Sequence, residues 1–360
     1  MHKKEDELKI NINIEICRKG FLLMENRRVR IVDIAEELGV STATVSNVIH
    51  GKTKKISDET VKRVQQLLEE RQYIPSMAGI LLAQNDSRII GVVINNHEKY
   101  EGHVLEDPFI ASAINHLSIE IEQAGYFMMI KTTNELKDIV KFASMWNLEG
   151  MIIIGFCEDE YDELREFMRI PFVVYDGYFE NKGRICNLTI QNFNGGKQVG
   201  KYYKELGHQK ALYLSDNDIC VDLERYQGFC EEFGKENTDF WLIPMHKQDR
   251  SCFYEEHFSE LSKYTAVFAA SDYYAIDFMQ FVMARGMRVP EDMSVAGFDD
   301  NPICEQVVPN LTSVQQNGRE RAKQALSMLK ALKQGEKVEY QTELPVTLIV
   351  RNSTAKCTKM

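Results

Sequence analysis

Ile31, Ile34, Ala35 and Leu38 recur at i, i+3, i+4 and i+7, and this spacing predicts a short helix over 31–38 with one apolar stripe. Gly39 ends it, because the residue just past a helix often needs a positive φ that glycine adopts without steric cost. Ser41 is placed to cap a second helix over 42–50. There Val45, Val48 and Ile49 form the inward face, which leaves Thr42, Ala43, Ser46, Asn47 and His50 pointing outward. Ser57 caps a third helix whose Val61, Val64, Leu67 and Leu68 close a small core, and Pro75 prevents its continuation. Two short helices joined by a tight turn, with outward polar residues opening the second, are suited to meet base edges in a DNA groove. Helical hairpins also occur in bundles, so the pattern alone leaves that alternative open.

Beyond Arg88 the chain changes rhythm. Apolar runs at 89–94, 127–130, 151–154 and 172–175 alternate with amphipathic stretches at 109–124 and 136–146. The alternation resumes with helix 195–206, strand 211–214, helix 222–233, strand 266–269, helix 273–285 and strand 295–298. Repeated βα units imply parallel sheets covered by helices on both faces. About 265 residues exceed what one such sheet organises, so two lobes are expected.

The net charge of −11 and pI ≈ 5.4 argue at first against a nucleic-acid partner. The charge is uneven, however: residues 27–75 hold nine Lys/Arg and seven Asp/Glu, a balance of +2. So weakly basic a headpiece on an acidic body should bind poorly alone, and a dimer on two half-sites should be needed. Enzyme classes find no support. The chain has no G-x-G-x-x-G after its first strand, no Walker motif, no H-E-x-x-H and no G-x-S-x-G elbow, and no cofactor or metal is expected. Asn194-Gly195-Gly196 opens a helix and is compatible with anion binding, although such a pair is usually conformational. The eight cysteines contain no C-x-x-C pair and, without a signal peptide, read as reduced thiols of a cytoplasmic protein. No apolar run approaches the roughly 18 residues of a membrane span.

The run Val32-Asp33-Ile34-Ala35, Gly39-Val40-Ser41, Thr44 to Ile49, Ser57, Thr60, Val64, Tyr73-Ile74-Pro75 and Leu82 strongly resembles the headpiece of the lactose-repressor (LacI/GalR) family of bacterial transcription regulators. The resemblance implies that Thr42 and Ala43 face bases, that Thr44 and Ser46 hold phosphates, and that Asn47 and His50 reach base edges. Asparagine can bond adenine N6 and N7 together, so an adenine opposite Asn47 is expected. Lys52, Lys54 and Lys55 stand where they can meet the DNA backbone or simply line a solvated loop. The family places a hinge helix after Pro75 whose leucine, here Leu82, wedges into the minor groove. Gly79 and Ile80 replace the usual Ala-Arg pair, and glycine inside a helix costs about 1 kcal/mol, so this hinge should depend strongly on DNA and on a partner subunit.

The stretch 89–350 resembles the family's effector domain through Gly207-His208, Arg225 with Gly228-Phe229, Val289-Pro290-Glu291-Asp292, Gly297-Phe298-Asp299-Asp300 and Leu311-Thr312. The fold implied is a small all-α helix-turn-helix headpiece plus an α/β two-lobed periplasmic-binding-protein-like domain. The chain should cross between lobes near Gln191 and return to the first after Leu311. Ligands of such folds sit at the carboxyl ends of parallel strands, between lobes. Asp176, Arg225 and Asp299 are the expected effector contacts, since an Arg fork and two carboxylates suit a polyhydroxylated sugar or related metabolite; each also reads as an ion pair or helix cap. Asp107 and Phe109, which enter the first helix after an unusually long segment 97–107, and Ser271 complete the expected site. Gln191-Asn192 replaces a commonly acidic pair, and Phe156, Trp146 and Trp241 are further aromatics able to stack on a sugar or to serve as core.

The expected organisation is an N-terminal extension over 1–28, a DNA-binding domain over 29–75, a hinge over 76–86, an effector and dimerisation domain over 87–352 and a tail over 353–360. Met24 is a candidate start of translation, since Lys19-Gly20 can be encoded by a ribosome-binding sequence. The whole reads as a homodimeric transcriptional regulator, a repressor of double-stranded operator DNA controlled by a small-molecule effector, with no membrane partner. The alternatives are a solute-binding protein without a DNA role and a metabolite enzyme fused to a DNA anchor.

Overall fold

The structure, a computed structural model, describes residues 28–74, 86–156, 158–177 and 185–358, and divides into a unit up to Asn85 and a unit from Asp86. The expected extension before Arg28 and the hinge with Leu82 lie outside the described residues.

In the first unit, helices α1 (Ile31–Leu38), α2 (Thr42–Ile49) and α3 (Asp58–Glu70) enclose Ile34, Ala35, Val45, Val48, Val64 and Leu67. Ile49, Val61 and Leu68 pack around this core half-buried. Each turn is fixed locally. The Asp33 carboxylate accepts from the Arg30 amide at 2.8 Å, where the N-terminal end of α1 favours negative charge. Gly39 takes φ 67°, which lets the Val40 amide return to the Ala35 carbonyl at 3.0 Å. Ser41 Oγ accepts from the Thr44 amide and Ser57 Oγ from the Thr60 amide, so both expected caps form.

The second unit contains two sheets. Its first lobe is built on β1 (Ile89–Asn95), β2 (Phe127–Thr133), β3 (Gly150–Ile154), β4 (Phe172–Tyr175), β5 (Cys186–Ile190) and β11 (Gln341–Leu344), in the order β11-β5-β4-β3-β1-β2 and all parallel. Helices α4 (Pro108–Gln123), α5 (Leu136–Met145) and α6 (Glu158–Phe167) connect its strands. The second lobe orders β12 (Val346–Ile349), β10 (Thr312–Gln316), β9 (Ser294–Asp299), β8 (Ala266–Ala269), β6 (Ala211–Ser215) and β7 (Thr238–Leu242), with β12 alone antiparallel. Its helices are α7 (Asn192–Glu205), α8 (Cys220–Phe233), α9 (Lys247–Glu256) and α10 (Asp272–Met283); α11 (Gly318–Gln334) packs back on the first lobe through Ala322, Ala325 and Leu329.

The first crossing falls at Gln191, as expected. The return is later than expected: Thr312 to Gln315 pair in register with Ala296 to Asp299, so β10 still belongs to the second sheet and the chain leaves it only at Asn317. A third crossing follows between β11 and β12, and Ser353 beyond it is buried, its hydroxyl donating to the Val295 carbonyl at 2.6 Å. The residues assigned to a tail thus begin as part of the second lobe's packing.

The glycines after Asn194 have a packing role. A Cβ on Gly196 would sit 2.0 Å from the Arg225 carbonyl oxygen, and one on Gly228 would sit 1.9 Å from that of Phe193. Helices α7 and α8 touch backbone to backbone here, which sets the starting point of the Arg225 side chain.

Candidate functional site

The headpiece presents α2. Thr42, Ala43 and Asn47 are exposed, while Ser46, Thr44 and His50 are half-buried. The Thr44 hydroxyl lies 2.9 Å from Ser41 Oγ, so it closes the cap locally and offers only its remaining hydrogen-bonding capacity outward. Lys52, Lys54 and Lys55 follow as an exposed cationic stretch.

In the effector domain the carboxyl ends of the strands hold most of the polar groups. Asp176 follows β4 with φ 54° and Asp299 ends β9 with φ 114°, both in a backbone region that side chains rarely adopt. Asp176 is bonded inside its own lobe: Arg321 Nη2 of α11 lies 2.7 Å from its Oδ1, and Thr189 Oγ1 donates at 3.1 Å. The same guanidinium donates to the Leu188 carbonyl and to Gln316 Oε1 and lies 4.2 Å from the Tyr175 ring centroid. Gln316 Nε2 in turn donates to Asp299 Oδ1 at 2.7 Å. Asp176, Arg321, Gln316 and Asp299 therefore form one chain of bonds running from the first lobe to the second.

A cavity of about 300 Å³ opens beside this chain, lined by Phe109, His116, Tyr175, Asp299, Gln316 and Arg321 among others. Among the described residues, the buried polar atoms without a hydrogen-bond partner include Tyr175 Oη and Arg321 Nε, both on side chains that line the cavity, and Asn95 Oδ1 at the end of β1.

Arg225 is buried and committed. Its Nε donates to Asn192 Oδ1 at 2.9 Å and its Nη1 to the Ala270 carbonyl at 2.6 Å, Asp222 Oδ1 is 3.5 Å away, and the guanidinium stacks 3.8 Å from the Phe298 centroid. Burial pushes the Asp222 carboxyl up, opposed by Arg225; burial also pushes Asp299 well above the carboxylate range, with Arg225 opposing and Asp272 and Asp107 adding to it. Asp107 caps α4 by accepting from the Ile110 amide at 3.0 Å, and its burial too raises its pKa. Ser271 Oγ accepts from the Tyr274 amide and caps α10, away from the cavity lining.

Phe109 and Asp299 are thus brought to one cavity, Asp176 adjoins it through Arg321, and Arg225 and Asp107 lie within electrostatic reach of Asp299. Of the other aromatics, Trp241 packs against Phe253 and Tyr264, Phe156 is buried edge-on to Tyr161, and Trp146 is exposed at the end of α5. The sequence reading missed Arg321, Gln316 and Tyr175, and it missed Asp216, although the rule that picked out Asp176 applies equally to an aspartate following β6. Among the described residues no His/Cys/Asp/Glu group is arranged to hold a metal ion, and no helix is long and apolar enough to cross a membrane.

Two family models match the chain: "Bacterial regulatory proteins, lacI family" over residues 30–76 and "Periplasmic binding protein-like domain" over residues 201–354. A curated relative, the HTH-type transcriptional repressor PurR of Mannheimia succiniciproducens, is 28% identical over 91% of this chain and 98% of its own length. Among solved structures, the lac repressor dimer bound to operator and an anti-inducer superposes with a TM-score of 0.78 at 22% identity, covering 91% of this chain and all of that one. A LacI family transcriptional regulator from Enterococcus faecium with bound ribose gives 0.64 at 21% identity, over 74% of this chain and 99% of its own. The helix-turn-helix headpiece, the two-lobed domain behind it and relatives matched along nearly their whole length agree, and the chain belongs to the LacI/GalR family of bacterial regulatory proteins.

Proposed function

We propose that this protein is a transcriptional repressor that reads double-stranded operator DNA as a homodimer and is controlled by a small-molecule effector bound between the two lobes of its second unit. The observation that carries the reading is α2: a capped helix whose buried face is Val45 and Val48 and whose opposite face offers Thr42, Ala43 and Asn47 to solvent. Thr42, Ala43, Asn47 and His50 contact bases in this reading, and Thr44, Ser46 and the following lysines contact phosphates.

The effector is a sugar or a related metabolite rich in hydrogen-bond donors. The cavity beside Asp299 supports this, because Tyr175 Oη and the nearby carboxylates have capacity to spare, and an unpartnered buried polar atom costs about 1–3 kcal/mol that a ligand hydroxyl recovers. Phe109 supplies an apolar wall. The ribose bound to the Enterococcus relative agrees with this class. A second copy of the chain covers the edge of the first lobe, where β2 ends its sheet with Phe127 59% exposed and α5 ends with Met145 and Trp146 66% and 48% exposed. The protein acts in the cytoplasm and turns over nothing; its relatives are repressors.

The test is a gel shift of the full-length protein on fragments from its own upstream region, with a panel of unphosphorylated sugars and nucleobases. Specific retardation changed by one compound is expected. Retardation of all fragments alike at every condition, or turnover of a compound, would overturn the reading.

A further inference from the structure

Between β1 and α4 the chain takes an indirect route. Residues 97–107 form two 3-10 turns, Glu98–Tyr100 and Val104–Glu106, and reverse direction at Glu101 and Gly102, with φ 50° and 85°. The first turn is delivered to the other lobe. Lys99 Nζ lies 3.9 Å from Asp216 Oδ2, and that side chain is only 2% exposed. Two residues on, Glu101 Oε1 lies 3.0 Å from His246 Nδ1 at the start of α9.

Asp216 stands one residue beyond β6 and close to Asp222, so two acids share a buried recess of the second lobe. Of the cations buried in that lobe, Arg225 lies against Asp222 and is bonded to Asn192 and the Ala270 carbonyl, and Arg250 is bonded to Asp277 and Tyr273; Asp216 pairs with neither and accepts from the neutral Asn217 amide at 2.9 Å. An unneutralised buried carboxylate is costly, and a lysine from across the cleft provides the missing charge. Partial burial disfavours the Lys99 ammonium, but the carboxylates of Asp216, Asp222 and Asp107 around it outweigh that and hold it charged.

We propose that residues 97–107 are a strap by which the effector domain closes its own cleft: Lys99 supplies the counter-cation for Asp216, and Glu101 with His246 clips the strap a second time. The inference rests on the inter-lobe cleft being the effector site, since its consequence is that an effector meets a cleft already held shut and must exchange partners with the strap to change its opening. Its test involves neither DNA nor effector, so a failure of the repressor reading would leave it standing, and the reverse.

The test is hydrogen–deuterium exchange on the full-length protein without added ligand, comparing wild type, Lys99→Gln, Asp216→Asn and the control Lys131→Gln, which breaks an intra-lobe pair with Asp138. In Lys99→Gln, amides of residues 97–107 are expected to exchange about tenfold faster, and those of residues 243–248 on the opposite lobe to accelerate as well, while the control leaves both segments unchanged. Asp216→Asn should reproduce the pattern; should it unfold the second lobe, Lys99→Gln, whose side chain is 34% exposed, still decides. Unchanged exchange in residues 97–107, or acceleration confined to them, would reduce the segment to a local loop and overturn the proposal.

Discussion

The headpiece and the effector domain prepare their polar groups in opposite ways. On α2 the groups proposed to meet DNA are held on a rigid helix and left facing solvent, with only Thr44 tied into a cap. In the effector domain the groups proposed to meet ligand are already engaged: Asp176 with Arg321 and Thr189, Arg225 with Asn192 and Ala270, Asp299 with Gln316. A surface that only displaces water can be read directly by its partner. A site whose members bond one another must give up bonds when a ligand arrives, and through the Arg321–Gln316 bond this network joins the two lobes. Ligand binding there is coupled to lobe geometry in a way that contact with α2 is not, because a ligand shifts an equilibrium only through bonds that differ between its two states.

The contrast breaks most sharply at Arg321, whose side chain is 3% exposed and serves Asp176, Gln316 and the Leu188 carbonyl together. Arg321→Ala should destabilise the effector domain by about 3–5 kcal/mol, the cost of stranding a buried charge, and leave the unfolding of the headpiece unchanged. Denaturant unfolding followed separately in the two units measures this; a loss below about 1 kcal/mol would mean the network is not coupled as described.

Acid should also separate the units. His208 is buried, which pushes its pKa down to about 4, so the stability it confers is fully present above the unfolded value of about 6.5 and lost as pH falls toward 4. Buried Asp272, pushed up to about 6, has the opposite sign: its contribution is present at low pH and lost as pH rises through 6. The difference between wild type and His208→Gln isolates the first effect, and should shrink by up to about 2 kcal/mol between pH 6.5 and 4 once partial solvent screening is allowed for. A pH-independent difference would show that the imidazole is not held neutral.

Asn47→Ala sharpens the headpiece side. The residue is exposed, so its loss should leave folding unaltered while weakening specific operator binding by about 1–3 kcal/mol and relaxing preference at one base pair. Fluorescence anisotropy on the operator and on a scrambled duplex distinguishes this from a phosphate contact, which would weaken both alike. The smallest effect is at the cap: Ser41→Ala removes the acceptor for the Thr44 amide and should cost the headpiece about 1 kcal/mol of stability, visible as a lower melting temperature of that unit alone.

The headpiece was legible almost to the residue, since its stripe at 31–38, its Gly39 turn and its Ser41 and Ser57 caps are interactions between near neighbours in sequence. The long apolar strands β1, β3 and β4 were legible as runs. Strands β5, β7, β10, β11 and β12 were not, because their residues alternate or mix polar with apolar and become strands only through the neighbour they pair with. For the same reason the return from the second lobe was placed too early. Of the candidate site, Asp176 and Asp299 were found because a polar residue after a buried strand stands out. Ser271 was singled out as an effector contact, yet its hydroxyl is already used in a local cap.

By itself, then, the sequence determined the helix-turn-helix with its buried and outward faces, the βα rhythm of two lobes and the family to which both belong. The first two follow from periodicity and capping, which act over a few residues, and the family from the resemblance of the chain's motifs. Only the tertiary structure decided that Arg321 closes on Asp176, that Gln316 joins Asp299 to that pair, and that Lys99 crosses to Asp216. A buried charge is stabilised by whichever opposite charge the fold brings within a few ångströms, and residues 117 or 145 positions apart carry no local mark of that encounter.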